Sequence, residues 1–376
     1  MNKTTKTILW VVVAVIVIGG IWYGISKKPQ VVEKEPIKIG YVAVLSGPAA
    51  TSWGFYARDA AELATDEINT EKGVKLQIKW GDSAAKPEQG VTEFKKLNET
   101  EKPDVFIVDA SSVASAIAPL ADQYKKPITF GTVALEGITK QSEYLFRNFY
   151  LCEDSASLLA KKAYEKLGLR KIAILSANEA YAQSCHETFK EEFTKLGGNI
   201  VADEKFLLSE MDFKTYLTKI KSADPEAIYI IGYENGLSEI VKKMKELEIN
   251  KTILAEMVLY APVIRNQVVD LTNPPEVYMA STDFYLGKKA DEFKNKFETK
   301  YGTKPPYLAG YIYDTVYIIA RAAKIADKEG ISLKEALKKV KLDGVSGFLE
   351  FDEDRETHTK WYFVKLNKDG SLQILE

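Results

Sequence analysis

The chain has little of the chemistry on which most hydrolases, redox enzymes and metalloproteins depend. Its 376 residues include two histidines and two cysteines, too few for the usual zinc ligand sets or for a Cys–His nucleophile. No G-x-G-x-x-G follows an apolar strand, and no G-x-x-x-x-G-K-[ST] occurs. The backbone cradle that nucleotide phosphates need is therefore missing, and no cofactor and no metal are expected. Basic residues form no long run and the formal net charge is −2, so nucleic acid is not an expected partner. Cys152 and Cys185 cannot make a disulfide scaffold. We read them as two isolated structural thiols, with a single bridge as the alternative in an oxidising compartment. Neither follows the N-terminal apolar run closely enough to accept a lipid.

That run is the first positive feature. "ILWVVVAVIVIGGIWYGI", Ile8 to Ile25, carries no charge and reaches about 27 Å as a helix at about 1.5 Å per residue, close to a hydrocarbon core. Lys3 and Lys6 precede it, Lys27 and Lys28 follow it, and Trp10, Trp22 and Tyr23 stand near its ends, where amphipathic rings favour the membrane interface. No small-x-small cleavage site follows. Residues 1–28 are therefore expected to be an uncleaved signal anchor, a single transmembrane helix in the cell membrane, and residues 29–36 a short linker. The rest of the chain is expected on the extracytoplasmic side. With the four anchor lysines set aside it is more acidic than the whole, which suits a body that must not adhere to anionic lipid.

Beyond the linker, strand-like and helix-like segments alternate. "IKIGYVAVL" is β-rich, and "YARDAAELATDEINT" places Ala57, Ala60, Ala61, Ala64 and Ile68 on one helical stripe. The rhythm runs to about residue 150 and restarts near Ser155. Such alternation implies parallel sheets covered on both faces, and its repetition predicts an α/β protein of two Rossmann-like lobes. The leftover segments are expected to complete these sheets. This gives residues 37–150 plus 282–344 for the first lobe and 151–281 plus 345–376 for the second, with the chain crossing between lobes more than once. The end, "GFLEFDEDRETHTKWYFVKL", reads as two strands joined by a polar turn. Asp352, Glu353, Asp354 and Glu356 are expected at a solvated tip.

Open parallel sheets bind ligands beyond the carboxyl ends of their strands, where helix N-termini present free N–H groups. Four such ends carry unusual residues: "LSGPAATSWG", "DASSVAS", "SANEAYAQS" and "GYENG". Ser111 and Ser112 lie where "VFIV" runs out and helical spacing begins. Hydroxyl donors beside backbone amides suit a carboxylate; the alternative is that one serine merely caps its helix.

These motifs together, "IKIGYVAVLSGPAATSWG", "DSAAKPEQGVTEFKKL", the serine seam and "YDTVYIIARAA", resemble the branched-chain amino-acid-binding proteins. These are type I periplasmic binding proteins that feed ABC importers, and the resemblance runs over nearly all of residues 37–375. It implies two lobes on a three-segment hinge that close over a small-molecule ligand, an importer permease as partner, and no enzymatic activity. By position, Ser111 matches the serine that binds the ligand carboxylate. Thr132, Val133 and Ala134 fall where the family offers backbone groups and a threonine, with Ala134 in the threonine's own place. Trp53 matches an aromatic wall residue, and Tyr181 and Tyr233 match second-lobe tyrosines that close on the ligand. The family's ammonium-binding glutamate falls at Met257, so Glu256, one residue away, and Asp314 are the candidate acids. The implied solute is a branched-chain or similar amino acid, with a non-amino-acid organic acid or amide as the alternative if neither acid serves. A ligand-sensing ectodomain is the alternative role. An enzyme on the same fold is opposed by the missing catalytic constellation.

Overall fold

Apolar residues on both faces of Ile37–Ala43 (β1) make it a central strand: Ile39, Tyr41 and Ala43 face one core while Val42 and Val44 face the other. Val105–Val108 (β3) repeats the pattern, with Val105 and Ile107 on the first face and Phe106 and Val108 on the second. The computed structural model describes residues 35–47, 49–271, 274–282 and 288–376, with Asn2 and Trp10. In it β1 pairs in parallel with Leu76–Asp82 (β2) on one side and β3 on the other. Ile128–Phe130 (β4) and Leu145–Arg147 (β5) complete a parallel sheet of order β2-β1-β3-β4-β5. Gly40 is required in β1, because a Cβ there would lie 2.6 Å from the Phe106 ring.

The second sheet has the order β14-β13-β10-β9-β8-β6-β7. Its parallel part is Lys171–Ala177 (β6), Asn199–Phe206 (β7), Ala227–Ile231 (β8), Thr252–Ala255 (β9) and Val277–Thr282 (β10). Trp361–Leu366 (β13) joins β10 antiparallel, and Leu372–Ile374 (β14) closes the edge. The helix Cys152–Glu165 packs on this sheet, whereas the helices Lys288–Tyr301 and Tyr307–Glu329 pack on Phe55–Thr70 of the first lobe. The two-lobed α/β architecture expected from the alternation is what forms.

Several finer expectations are corrected. Phe348–Glu350 (β12) pairs with Lys341–Asp343 (β11) and not with β13. Leu349 and Phe351 still pack with Phe146, Ile318 and Leu337 of the first lobe, so the chain enters the second sheet only at Trp361, later than the expected boundary at 345. Within "DEDRE", Asp352 and Glu353 are exposed as expected, but Glu356 is not: the stretch belongs to a crossing segment. Glu356 is buried, ion-paired with the fully buried Arg147, and accepts a 2.7 Å bond from Thr139 Oγ1. The crossings after β5 and before β13 run side by side. Arg147 N donates to Arg355 O at 2.9 Å, Thr357 N to Arg147 O at 3.0 Å, and Thr357 Oγ1 to Asn148 Oδ1 at 3.1 Å. Cys152 and Cys185 are not separate thiols: they form a disulfide, with Cα atoms 5.3 Å apart. Their separation of 33 residues hides this, because two helices of one lobe bring them together. The expected anchor, Ile8–Ile25, and its linker lie outside the described residues. Among the described residues no helix is long and apolar enough to cross a membrane.

Candidate functional site

At the seam after β3 the backbone turns sharply. Ala110 adopts φ +66° and ψ +127°, a conformation that costs an L residue about 1–3 kcal/mol and is held only where surroundings impose it. The turn starts the helix at Ser111, buried to 3% exposure. Asp109, just before it, is fully buried, and burial pushes its carboxyl up to about 7. It accepts a 2.8 Å bond from Thr132 Oγ1 at the end of β4. The hydroxyl proton of Thr132 is thereby committed, and its oxygen remains an acceptor. Trp53 is fixed from the β1 side: a Cβ on Gly54 would meet Val44 O at 1.9 Å, so only glycine lets this turn lie against the strand end.

The second lobe supplies the facing wall. Glu179 caps the helix Ala180–Lys195, accepting from Tyr181 N at 3.1 Å and Ala182 N at 2.7 Å. The Cys152–Cys185 bridge ties the same helix to the start of Cys152–Glu165, next to the hinge. Tyr181 thus has a fixed backbone, and its ring lies 5.8 Å from that of Tyr233. Burial, with Glu179 nearby, raises the Tyr233 phenol well above its ordinary value.

Between the walls lies a cleft of about 560 Å³. Trp53, Ser111, Thr132, Ala134, Tyr181 and Tyr233 all line it. Met257 lines it too, as do Ala110, Phe149, Tyr150, Glu234 and Tyr307, which are not among the residues expected at the site. Glu234 belongs to the strand-end segment "GYENG", next to Tyr233. Tyr150 sits in the first crossing, and its hydroxyl is 3.2 Å from that of Tyr307. Two cleft-lining donors are buried without a hydrogen-bond partner among the described residues: the Trp53 indole N–H and the Tyr181 hydroxyl. A buried donor left so costs roughly 1–3 kcal/mol, which makes both natural contacts for an acceptor brought in by a ligand.

Three expected site residues and the reserve acid are not brought to the lining. Ser112, the second residue of the same first turn, is half-buried and points off the cleft side, and Val133 points into the first-lobe core. Glu256 is buried behind the wall, where Ser155 Oγ donates at 2.6 Å and the Tyr229 hydroxyl at 2.5 Å. Burial pushes its carboxyl up to about 7, while Met257 takes the cleft position. The reason is register: Glu256 continues the extended backbone of β9 and turns into the lobe, whereas the cleft side begins with the 3-10 turn that starts at Met257. Asp314 serves the ribbon turn, accepting from Val345 N at 2.8 Å, Ser346 N at 2.7 Å and Ser346 Oγ at 2.5 Å.

The described residues hold no group of three or more His, Cys, Asp or Glu side chains placed for a metal ion. The arrangement is a two-walled aromatic cleft with Ser111 and Thr132 on one wall and Tyr181 and Tyr233 on the other, of a kind suited to holding a small solute. The model of the periplasmic binding protein family matches residues 36–371, and the chain belongs to that family. The relatives it matches are themselves named as binding proteins for leucine, isoleucine and valine. The Leu/Ile/Val-binding protein of Escherichia coli K12 is 27% identical over 218 residues, 56% of this chain and 58% of the relative. The leucine-, isoleucine-, valine-, threonine- and alanine-binding protein of Pseudomonas aeruginosa is 22% identical over 94% of each chain. The chain spans only 58–60% of the length of the first curated relatives it matches. Among solved structures, the Streptococcus pneumoniae branched-chain amino-acid substrate-binding protein in complex with isoleucine superposes with TM-score 0.80 at 26% identity, covering 91% of this chain and 99% of that one. A Rhodopseudomonas palustris solute-binding protein in complex with benzoate has TM-score 0.81 at 18% identity, covering 91% and 96%, which shows the shared fold. These relatives are substrate-binding proteins and not enzymes.

Proposed function

We propose that the chain is the extracytoplasmic solute-binding protein of an ABC importer, tethered by residues 8–25, and that it captures a small carboxylate-bearing solute between its lobes. A branched-chain or related amino acid is the solute class. The observation that carries this reading is that Ser111 and Thr132 of one lobe and Tyr181 and Tyr233 of the other line the same cleft. The solute carboxylate docks on the Ser111 hydroxyl and neighbouring amides, and its apolar body packs against Trp53, Tyr181 and Tyr233. The lobes close about the crossings between them, and the permease receives the closed form.

The energetics permit micromolar binding. Hydrogen bonds to a charged group contribute roughly 1.5–3 kcal/mol each, and burial of an aliphatic side chain roughly 1.5–3 kcal/mol. Three or four such contributions, less the cost of association, approach the roughly 8 kcal/mol of a micromolar complex. Aromatic walls exclude water and strengthen the polar contacts. A second reading, an aromatic acid without an ammonium group, draws support from Met257 in the cleft and from the benzoate-bound relative. A thermal-shift screen of amino acids and small organic acids on the full-length protein tests the reading. Saturable stabilisation by at least one carboxylate, without turnover, is expected; no response to any carboxylate would overturn it.

A further inference from the structure

The cleft has a second polar end, beside the crossings. Tyr150 lies in the crossing after β5, and its ring stands edge-on to that of Trp361, where β13 begins, with centroids 5.3 Å apart. Tyr307 starts the first-lobe helix Tyr307–Glu329, and Tyr181 comes from the second lobe. All three line the cleft, at 2%, 6% and 6% exposure in the order Tyr150, Tyr181, Tyr307. The hydroxyls of Tyr150 and Tyr307 are 3.2 Å apart. Burial, and then Tyr181 and Glu256 nearby, raise the Tyr150 phenol well above its ordinary value; burial, and then Glu256 and Tyr307, do the same to Tyr181. Three phenols from three parts of the chain thus gather at one place.

A hydrocarbon tail on the solute makes no use of this end. The Tyr150–Tyr307 bond commits one hydroxyl proton, whereas the Tyr181 hydroxyl has no hydrogen-bond partner among the described residues. Closing a methyl group over it leaves a buried donor unmet. An oxygen on the solute accepts from it instead. A phenol also accepts, so a group with both an acceptor and a donor fits best. Outside the trio, the ionisable group that bears on both Tyr150 and Tyr181 is the Glu256 carboxyl behind the wall. A second anionic group is disfavoured beside it, so the fitting oxygen is neutral. Ser111 and Thr132 stand elsewhere on the cleft wall, at the first-lobe strand ends. The two ends of a solute therefore meet separate partners.

We propose that Tyr181, with Tyr150 and Tyr307 beside it, holds a neutral oxygen at the far end of the solute, so that the cleft selects carboxylates whose tail ends in an amide over those with a purely hydrocarbon tail. The inference rests on the carboxylate-binding function proposed above and specifies the opposite end of the solute. Meeting the phenols, as against burying them unmet, favours the amide by about 10-fold or more.

The test is calorimetric titration of the full-length protein with two pairs of isosteres, L-asparagine against L-leucine and succinamate against 4-methylpentanoate. In each pair an amide replaces an isopropyl group of nearly the same shape, and only the first pair carries an amine. The wild type is expected to bind the amide member at least about 10-fold tighter in whichever pair it binds. Tyr181→Phe, which removes the hydroxyl and keeps the ring, should abolish that preference. Equal or tighter binding of the hydrocarbon member by the wild type overturns the inference and leaves the carboxylate site standing. So does a preference undiminished in Tyr181→Phe. Silence toward all four probes overturns the inference too; only when the wider carboxylate screen is also silent does the proposed function fall with it.

Discussion

Glu356→Gln should be the most damaging of the conservative changes, and its size follows from burial. Arg147 is 0% exposed and Glu356 is 6% exposed, and their ion pair lies where two of the crossings run side by side. The carboxylate also holds Thr139 Oγ1 at 2.7 Å, and Arg147 Nη1 donates to Tyr150 O at 3.1 Å beside the cleft. The glutamine keeps the shape and removes the charge, leaving a guanidinium buried without its counter-ion. Breaking a buried pair in this way costs roughly 3–5 kcal/mol. With an unfolding entropy of about 2.1 cal/mol/K per residue over Pro36–Glu376, the midpoint should fall by about 4–7 °C. Thermal melts read by circular dichroism at pH 7.5 check it. Asp354→Asn is the control, since the Asp354–Lys140 pair is exposed on both sides and is worth at most about 1 kcal/mol. Replacing both buried partners, as Arg147→Met with Glu356→Leu, should recover much of the loss, because no charge is then stranded. Equal melting of Glu356→Gln and Asp354→Asn would refute the reasoning, and with it the view that this pair organises the crossings.

Other consequences are as direct. Ser111→Ala should weaken every carboxylate that stabilises the wild type by about 1.5–3 kcal/mol, with amides of the same skeletons less affected; titration calorimetry measures both. Thiol titration of the unreduced, denatured protein should find no free cysteine. Replacing Cys152 and Cys185 together by alanine should cost roughly 3–4 kcal/mol through the enlarged unfolded ensemble, and should also loosen the Tyr181 wall. Glu256 holds its proton more tightly folded, at about 7, than its ordinary 4.5. The stability this gives is complete below about pH 4.5 and is lost as pH rises toward 7, and Asp109 acts in the same sense. Melting temperatures taken across pH 4.5–8 should therefore decline less steeply in Glu256→Gln; an unchanged profile would contradict the assignment.

What was legible in the sequence was whatever local pattern determines. Strand–helix alternation encodes parallel sheets because each covering helix must follow its strand. Residues at strand carboxyl ends reach the cleft because the sheets point there, which is why Trp53, Ser111, Tyr181 and Tyr233 stand together. Long-range partnerships were not legible. Nothing near Glu356 announces Arg147, and nothing near Cys152 announces Cys185. Glu256 was misplaced for a subtler reason: one residue of register after β9 decides whether an acid or Met257 faces the ligand.

A crystal structure of the full chain bound to the carboxylate that stabilises it most puts the whole account at risk. The account predicts the carboxylate within hydrogen-bonding distance of Ser111 Oγ, with the Tyr181 and Tyr233 rings covering the solute from the other lobe. A solute seated outside this cleft, or in it with its carboxylate turned away from Ser111, would contradict it.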